Sequence, residues 1–291
     1  MKLWRNGTIC DESEAVIPIT DHGFLYGMGL FETFRTYGGK PFQLRRHIER
    51  LLAGCEELRI AYAPSAEDVA RAVDETIRAN GLHDAYVRWS VSAGSAPLGL
   101  PPASGYERPN VVIMAKPLGP PPAAPKELRL LALRRSGPEG IVRRKSFHYM
   151  NNVLGKWELA SRFASPSAEG LFAEASGSLV EGVVSNVFWA TGGTLYTPSV
   201  DTGCLPGVTR DIVLELARAA GIPVEEGRYG FEALAEADEA FVTNSVQELV
   251  PVGSLFDDAD AVRRRWDEAP GPMTKRLQSA YRSLADRGEW L

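Results

Sequence analysis

Two hydrophobic periods alternate along the chain. Phe31-Glu32-Thr33-Phe34-Arg35-Thr36-Tyr37 repeats every two residues, as does 84–92, so each predicts a strand. In the first, Phe31, Thr33 and Arg35 share a face. In the second, Tyr86, Arg88 and Ser90 take one face and Val87, Trp89 and Val91 the other. Gly38-Gly39 supplies a hairpin turn into 40–42. Residues 44–58 switch to helical spacing, with Leu44, Ile48, Leu51, Leu52 and Leu58 on one stripe and Arg50 beside it. A second amphipathic helix over 66–80 is stopped by Gly81.

Around this block, Leu3-Trp4 and 8–10 predict a hairpin about Asn6-Gly7, with 15–17 entering a further strand. Asp21-His22-Gly23 begins a turn, and Gly23, Gly27 and Gly29 argue against a plain helix there. A proline- and glycine-rich loop, 94–108, precedes a strand over 110–115. Residues 117–125 then form a stiff, proline-rich linker, which divides the chain into domains 1–116 and 126–291. In the second domain, strands are expected at 128–133, 170–174, 179–181, 185–190 and 241–246, with Gly192-Gly193 turning the chain back into Leu195-Tyr196. A helix over 151–163 should face inward with Val153, Leu154, Trp157, Ala160 and Phe163. Another follows Leu205-Pro206-Gly207, burying Ile212, Val213, Leu216, Ala217 and Ala220. The tail, 261–291, reads as two helical stretches around Pro270-Gly-Pro272.

Composition narrows the class. The 291 residues are 44% hydrophobic and 24% charged, ordinary for a soluble globular chain. A net charge of -5 argues against a nucleic-acid surface but permits a small anionic ligand in a locally positive pocket. Cys10, Cys55 and Cys204 show neither a disulfide framework nor metal spacing and fit a reducing cytoplasm. The polar N-terminus does not resemble a signal peptide, and no run of about 18 apolar residues is present.

Chemistry concentrates between Gly140 and Thr197. Lys145 follows Arg143 and Arg144 and precedes Phe147 and Tyr149, so positive charge and partial burial would favour a deprotonated amine, as Schiff-base formation with an aldehyde cofactor requires. Glu181, between Val180 and Gly182, could partner the nitrogen of a pyridine ring and keep it protonated. Together they read as the two handles of a pyridoxal phosphate site. Taken alone, the lysine reads as a solvated basic turn and the glutamate as surface. The first amides after Gly207, from Val208 and Thr209, could bind phosphate, or Thr209 could simply cap the helix.

The set DHGFLYGMGLFET (21–33), HIERL (47–51), KSFHYMNNVL (145–154), LVEGVVSNVFW (179–189), LPGVTRD (205–211) and ADEAFVTNSVQELVPV (237–252) resembles the class IV, or fold type IV, pyridoxal phosphate enzymes over nearly the whole chain and in order. That family holds branched-chain aminotransferases, D-amino acid aminotransferases and 4-amino-4-deoxychorismate lyases, and the chain looks most like the lyases of Gram-positive bacteria. The resemblance implies an α+β, two-domain fold of the D-amino acid aminotransferase-like type, with a small N-terminal α/β domain and a larger β-rich C-terminal domain carrying helices. It also implies pyridoxal 5'-phosphate as cofactor. Lys145 would carry it, Arg50 would reach its phosphate with Val208, Thr209, Asn244 and Ser245, Glu181 would meet its ring nitrogen, and Tyr149 would lie near its phenolic oxygen or pack in the core.

Activity is less constrained, because the family shares its first steps. Thr33 in the FET motif resembles the lyases, where it can protonate departing enolpyruvate; branched-chain enzymes usually have glycine there. The loop 92–100 carries Leu98 and Leu100 where D-amino acid aminotransferases place an arginine and a histidine, which weakens that reading. Arg88 and Tyr86 are left as carboxylate ligands, with Tyr26 reaching in from the partner of an implied homodimer. The expected activity is aminodeoxychorismate lyase, giving 4-aminobenzoate and pyruvate, with a branched-chain or broad-specificity transaminase as the alternative. No metal is expected.

Overall fold

The computed structural model describes residues 1–101, 103–162, 165 and 167–287. The chain packs as two compact units. One contains Met1–Pro120, Arg144–His148 and, of the described tail, 285–287; the other contains Pro121–Arg143 and Tyr149–Leu284. The α+β class expected from the sequence is the class observed.

In the first unit, β1 (Lys2–Arg5), β2 (Thr8–Asp11), β3 (Gly29–Tyr37), β4 (Lys40–Pro41), β5 (Ala85–Ser92) and β6 (Asn110–Pro117) make an antiparallel sheet in the order β2-β1-β6-β5-β3-β4. Phe31, Thr33 and Arg35 stand opposite Ser90, Arg88 and Tyr86, the shared face expected from the alternation. The opposite face, with Leu30, Phe34, Val87, Trp89, Val91 and Ile113, is buried in a common core with α2 (Leu44–Glu57) and α3 (Ala66–Ala79). Each large aliphatic or aromatic side chain so buried contributes roughly 1.5–3 kcal/mol. The Ser65 hydroxyl caps α3 by accepting from the Asp68 amide at 3.1 Å.

Two expectations fail near the N-terminus. Residues 15–17 form no strand, and Val16 and Ile17 are exposed. Conversely, His22–Tyr26 forms the short helix α1 despite its glycines. Its cap explains this: buried Asp21 accepts from the Gly23 amide at 2.7 Å and is itself held by Ser92 Oγ and Asn110 Nδ2.

The second unit contains β7 (Lys126–Leu130), α4 (Met150–Ser161), β8 (Glu169–Ala173), β9 (Leu179–Gly182), β10 (Asn186–Thr191), β11 (Thr194–Pro198), α5 (Val208–Ala219), β12 (Val224–Gly227), α6 (Phe231–Ala235), β13 (Glu239–Asn244), β14 (Glu248–Phe256), β15 (Val262–Arg265) and most of α7 (Pro272–Asp286). Its sheet runs β12-β11-β10-β13-β14-β7-β8-β9, with β15 added at β14, and is parallel where β11 meets β12 and where β7 meets β14 and β8. Leu128, Leu171, Trp189, Val242, Val250 and Leu255 fill its core.

Helix α4 buries the face opposite to the one expected. Val153, Leu154, Ala160 and Trp157 are exposed, Trp157 at 65%, while Asn152, Gly155 and Leu159 are buried. A Cβ on Gly155 would lie 2.6 Å from the Phe172 ring, so only this small face lets the helix approach β8. Asn152 Nδ2 also donates to the Val183 carbonyl at 2.6 Å. Phe163, assigned to the inward stripe, lies outside the described residues. In the tail, the first expected helix is instead β15, a charged edge strand of the kind that resists further pairing. Among the described residues no helix is long and apolar enough to cross a membrane.

Candidate active site

The segment Arg144–His148 runs beside β3 in the first unit. Leu30 and Ser146 form an antiparallel bridge, the Phe31 amide donates to the Lys145 carbonyl at 2.9 Å, and the Phe147 amide donates to the Gly29 carbonyl at 2.9 Å. Gly29 is required by this approach, since a Cβ there would collide with the Phe147 ring. Half-buried Lys145 has its Nζ 4.6 Å from the Phe31 ring centroid, and the Arg88 guanidinium lies 3.7 Å from the same centroid. Thr33 is half-buried one step along β3, directly opposite Arg88. Tyr86 follows on β5, half-buried, with Lys116 Nζ 4.7 Å from its ring centroid.

The cations next to Lys145 in sequence are not its companions in space. Arg144 pairs with Glu57, while Arg143, in the second unit, donates to the carbonyls of Ser136 and Gly203. Successive side chains of an extended segment point apart, so the cation sharing Lys145's aromatic platform is Arg88, from another strand.

Behind β3 lies a cluster missing from the sequence reading. Glu32, 1% exposed, accepts from Arg50 Nε at 2.8 Å, from Arg50 Nη2 at 2.6 Å and from His47 Nδ1 at 2.7 Å. Burial alone would raise the Glu32 carboxyl, but the Arg50 charge and these hydrogen bonds outweigh it and hold it at about 2. Burial lowers His47 from its ordinary value, opposed by Glu32 and assisted by Arg50 and Lys145. The neutral ring therefore serves Glu32 as a hydrogen-bond donor. His47 and Arg50 are one helical turn apart, and Glu32 is the sole acid on β3, a spacing that could have flagged the trio. Tyr26 is half-exposed, and its Oη accepts from the Gly99 amide at 3.0 Å, beside the loop whose Leu98 and Leu100 are exposed.

In the second unit Glu181 is buried on β9, contrary to a surface reading. Its Oε1 accepts from Arg135 Nε at 2.9 Å, with Arg143 Nε 3.8 Å away, and its Oε2 accepts from the Leu205 amide at 2.9 Å. Arg135 had no sequence signal, because Arg134-Arg135-Ser136-Gly137 reads as a basic turn. Downstream, α5 starts after Gly207, which has no capping side chain, and its first internal bond is Asp211 N to Gly207 O. The amides of Val208 and Thr209 thus lack intrahelical acceptors and carry the positive end of the helix dipole. Thr209 Oγ1 lies 3.3 Å from Ser245 Oγ, so two hydroxyls accompany those amides. Asn244 turns its Oδ1 inward to accept from Val246 and Gln247 amides, which shapes the Ser245 turn. A Cβ on Gly207 would strike Asn186 Oδ1, so this turn also admits no side chain. Tyr149, half-buried, is the N-cap residue of α4, its carbonyl accepting from the Val153 amide.

Residues 29–255 match the family model for class IV amino-transferases. The chain belongs to that family. Within it, the chain is 41% identical over 285 residues to the aminodeoxychorismate lyase of Bacillus subtilis (strain 168), covering 96% of this chain and 93% of that protein. Among solved structures, it resembles the branched-chain aminotransferase of Thermoproteus uzoniensis with norvaline, with a TM-score of 0.85, 29% identity and coverage of 98% and 94%. It also resembles the T.th. branched-chain aminotransferase solved with pyridoxamine 5'-phosphate, with a TM-score of 0.83, 26% identity and coverage of 99% and 96%. Class IV membership accounts for the family motifs and leaves the choice between lyase and aminotransferase to the site.

Proposed function

We propose that the chain is a pyridoxal 5'-phosphate-dependent 4-amino-4-deoxychorismate lyase that releases pyruvate and leaves 4-aminobenzoate for folate synthesis. The residues present fit the cofactor. The capless start of α5, with Val208 and Thr209 amides and the Thr209 and Ser245 hydroxyls, suits a phosphate, and Asn244 shapes that turn. Lys145 supplies the amine, Glu181 the carboxylate for the ring nitrogen, and Tyr149 a phenol for the cofactor's oxygen. When bound, the cofactor withdraws electrons from the substrate carbon bearing the amine.

The observation that favours elimination is Thr33 opposite Arg88, on the face where the Lys145 amine lies over Phe31. The free Lys145 amine would take the proton from the substrate carbon bearing the nitrogen. As the neighbouring carbon–oxygen bond breaks and the ring becomes aromatic, the Thr33 hydroxyl gives its proton to the departing enolpyruvate oxygen and regains one from solvent or the Lys145 ammonium. Arg88 and Tyr86 hold substrate carboxylate. This face of β3, β5 and β6 carries no acidic residue, which suits a dianionic substrate. The protein would act in the cytoplasm as a homodimer with Tyr26 reaching the partner's site; the exposed apolar residues of α4 are consistent with a covered surface.

Pyruvate release from aminodeoxychorismate without a keto-acid acceptor tests the reading. The match to branched-chain aminotransferases favours a second one, transamination, in which amino acids alone would convert the bound cofactor stoichiometrically to its amine form and no acceptor-free pyruvate would appear.

A further inference from the structure

One carboxylate in the second unit ties together stretches distant in sequence. Glu181, on β9, accepts from Arg135 through Oε1 and from the Leu205 amide through Oε2. Arg135 is held in turn: its Nη1 donates to Asn151 Oδ1 at 2.6 Å and Asn152 Oδ1 at 3.2 Å in the first turn of α4, and its guanidinium lies 5.2 Å from the Phe172 ring centroid. The Leu205 carbonyl accepts from Asn186 Nδ2 at 2.9 Å. Both polar atoms of Leu205 are therefore gripped, just ahead of the turn that opens α5.

We propose that Arg135 is a positioning residue for the anion-binding turn before α5, acting through Glu181 and Leu205 without touching the anion. Arg135 makes the short contact to Oε1, with Arg143 Nε farther off at 3.8 Å, and this leaves Oε2 aimed at the Leu205 amide in a charge-assisted bond. Without it, the carboxylate can swing away and the amides of Val208 and Thr209 lose their fixed aim, so binding must order them. The same carboxylate assigned to the ring nitrogen thus also sets the phosphate turn. This rests on the cofactor reading above, and its test is separable because inorganic phosphate serves as the probe.

The cofactor-free protein is titrated with inorganic phosphate and with pyridoxal 5'-phosphate. Arg135→Met should weaken inorganic phosphate by roughly tenfold, the scale of loss when an outer partner that orients a binding group is removed. Arg135→Lys, which keeps a donor for Glu181, should recover most of the affinity. Glu181→Met with Arg135 intact should weaken phosphate by a similar factor, and the double variant should be no weaker than either single one, since both act on the Leu205 contact. If Arg135 touched the anion itself, Glu181→Met would release the guanidinium and phosphate would bind as tightly as before or more so. That result, or unchanged phosphate affinity in Arg135→Met, overturns the proposal while the cofactor reading stands if wild-type protein still binds pyridoxal 5'-phosphate. Wild-type protein that binds neither probe overturns both.

Discussion

Replacing Glu32 by glutamine tests whether the cluster behind β3 holds the first unit together by charge. Glutamine keeps the shape of a protonated carboxyl, so the substitution removes the ionised form and little else. Holding the carboxyl at about 2 in place of 4.5 corresponds, at about 1.4 kcal/mol per pH unit, to about 3 kcal/mol. A second cost points the same way, because the Arg50 guanidinium, 13% exposed, loses its bidentate acceptor; breaking such a pair from one side costs about 3–5 kcal/mol. Glu32→Gln should therefore lower the unfolding free energy at pH 7 by about 3 kcal/mol in urea titrations followed by circular dichroism and tryptophan fluorescence. The acid limb gives a second reading. The folded pKa of Glu32 is depressed, so its contribution is complete above about 4.5 and is lost as pH falls toward 2; the variant should lack that loss. A variant within about 1 kcal/mol of wild type, with the same acid limb, would refute the charge argument.

Other outcomes follow from the same structure. Because burial lowers the folded pKa of His47, the unfolded chain takes up that proton first, so stability should begin to fall as pH drops below 6.5; His47→Gln should remove that early decline. Lys145→Ala should abolish the visible band of bound cofactor and the borohydride-fixed label on the peptide containing residue 145; a surviving label elsewhere would reject the assignment. Thr33→Val should slow acceptor-free pyruvate release by about 10²-fold or more while leaving cofactor affinity within about twofold, and an unchanged rate would remove Thr33 from the proton transfer. Gly207→Ala forces a methyl onto Asn186 Oδ1 and should cost about 1–3 kcal/mol, checked by thermal unfolding with and without phosphate.

What the sequence disclosed depended on how local the signal was. The alternation of Phe31, Thr33 and Arg35 gave the shared face of β3 because a strand's period sets orientation without help from the rest of the chain. The stripe of Val153, Leu154 and Trp157 misled because apolar spacing identifies a helix but not the side it buries; Gly155 and Asn152, small and polar, decide that through Phe172 and Val183. The cationic setting read for Lys145 was only partly legible, since Arg144 is neutralised by Glu57 and the nearby cation comes from β5. Arg135 was invisible because its partner, Glu181, lies 46 residues away, and no local pattern reports a bond of that span.

The opposed faces of β3 constrain how this segment can change over time. Thr33 and Phe31 lie on the face that carries Lys145 and Arg88, while Glu32 and Phe34 look toward the helices. Inserting or deleting a single residue within the strand would turn it over, burying a threonine where a carboxylate must meet Arg50 and presenting an acid to the ligand side. Substitutions in β3 can therefore be sampled one at a time, but its length upstream of the Gly38-Gly39 turn cannot drift by odd steps.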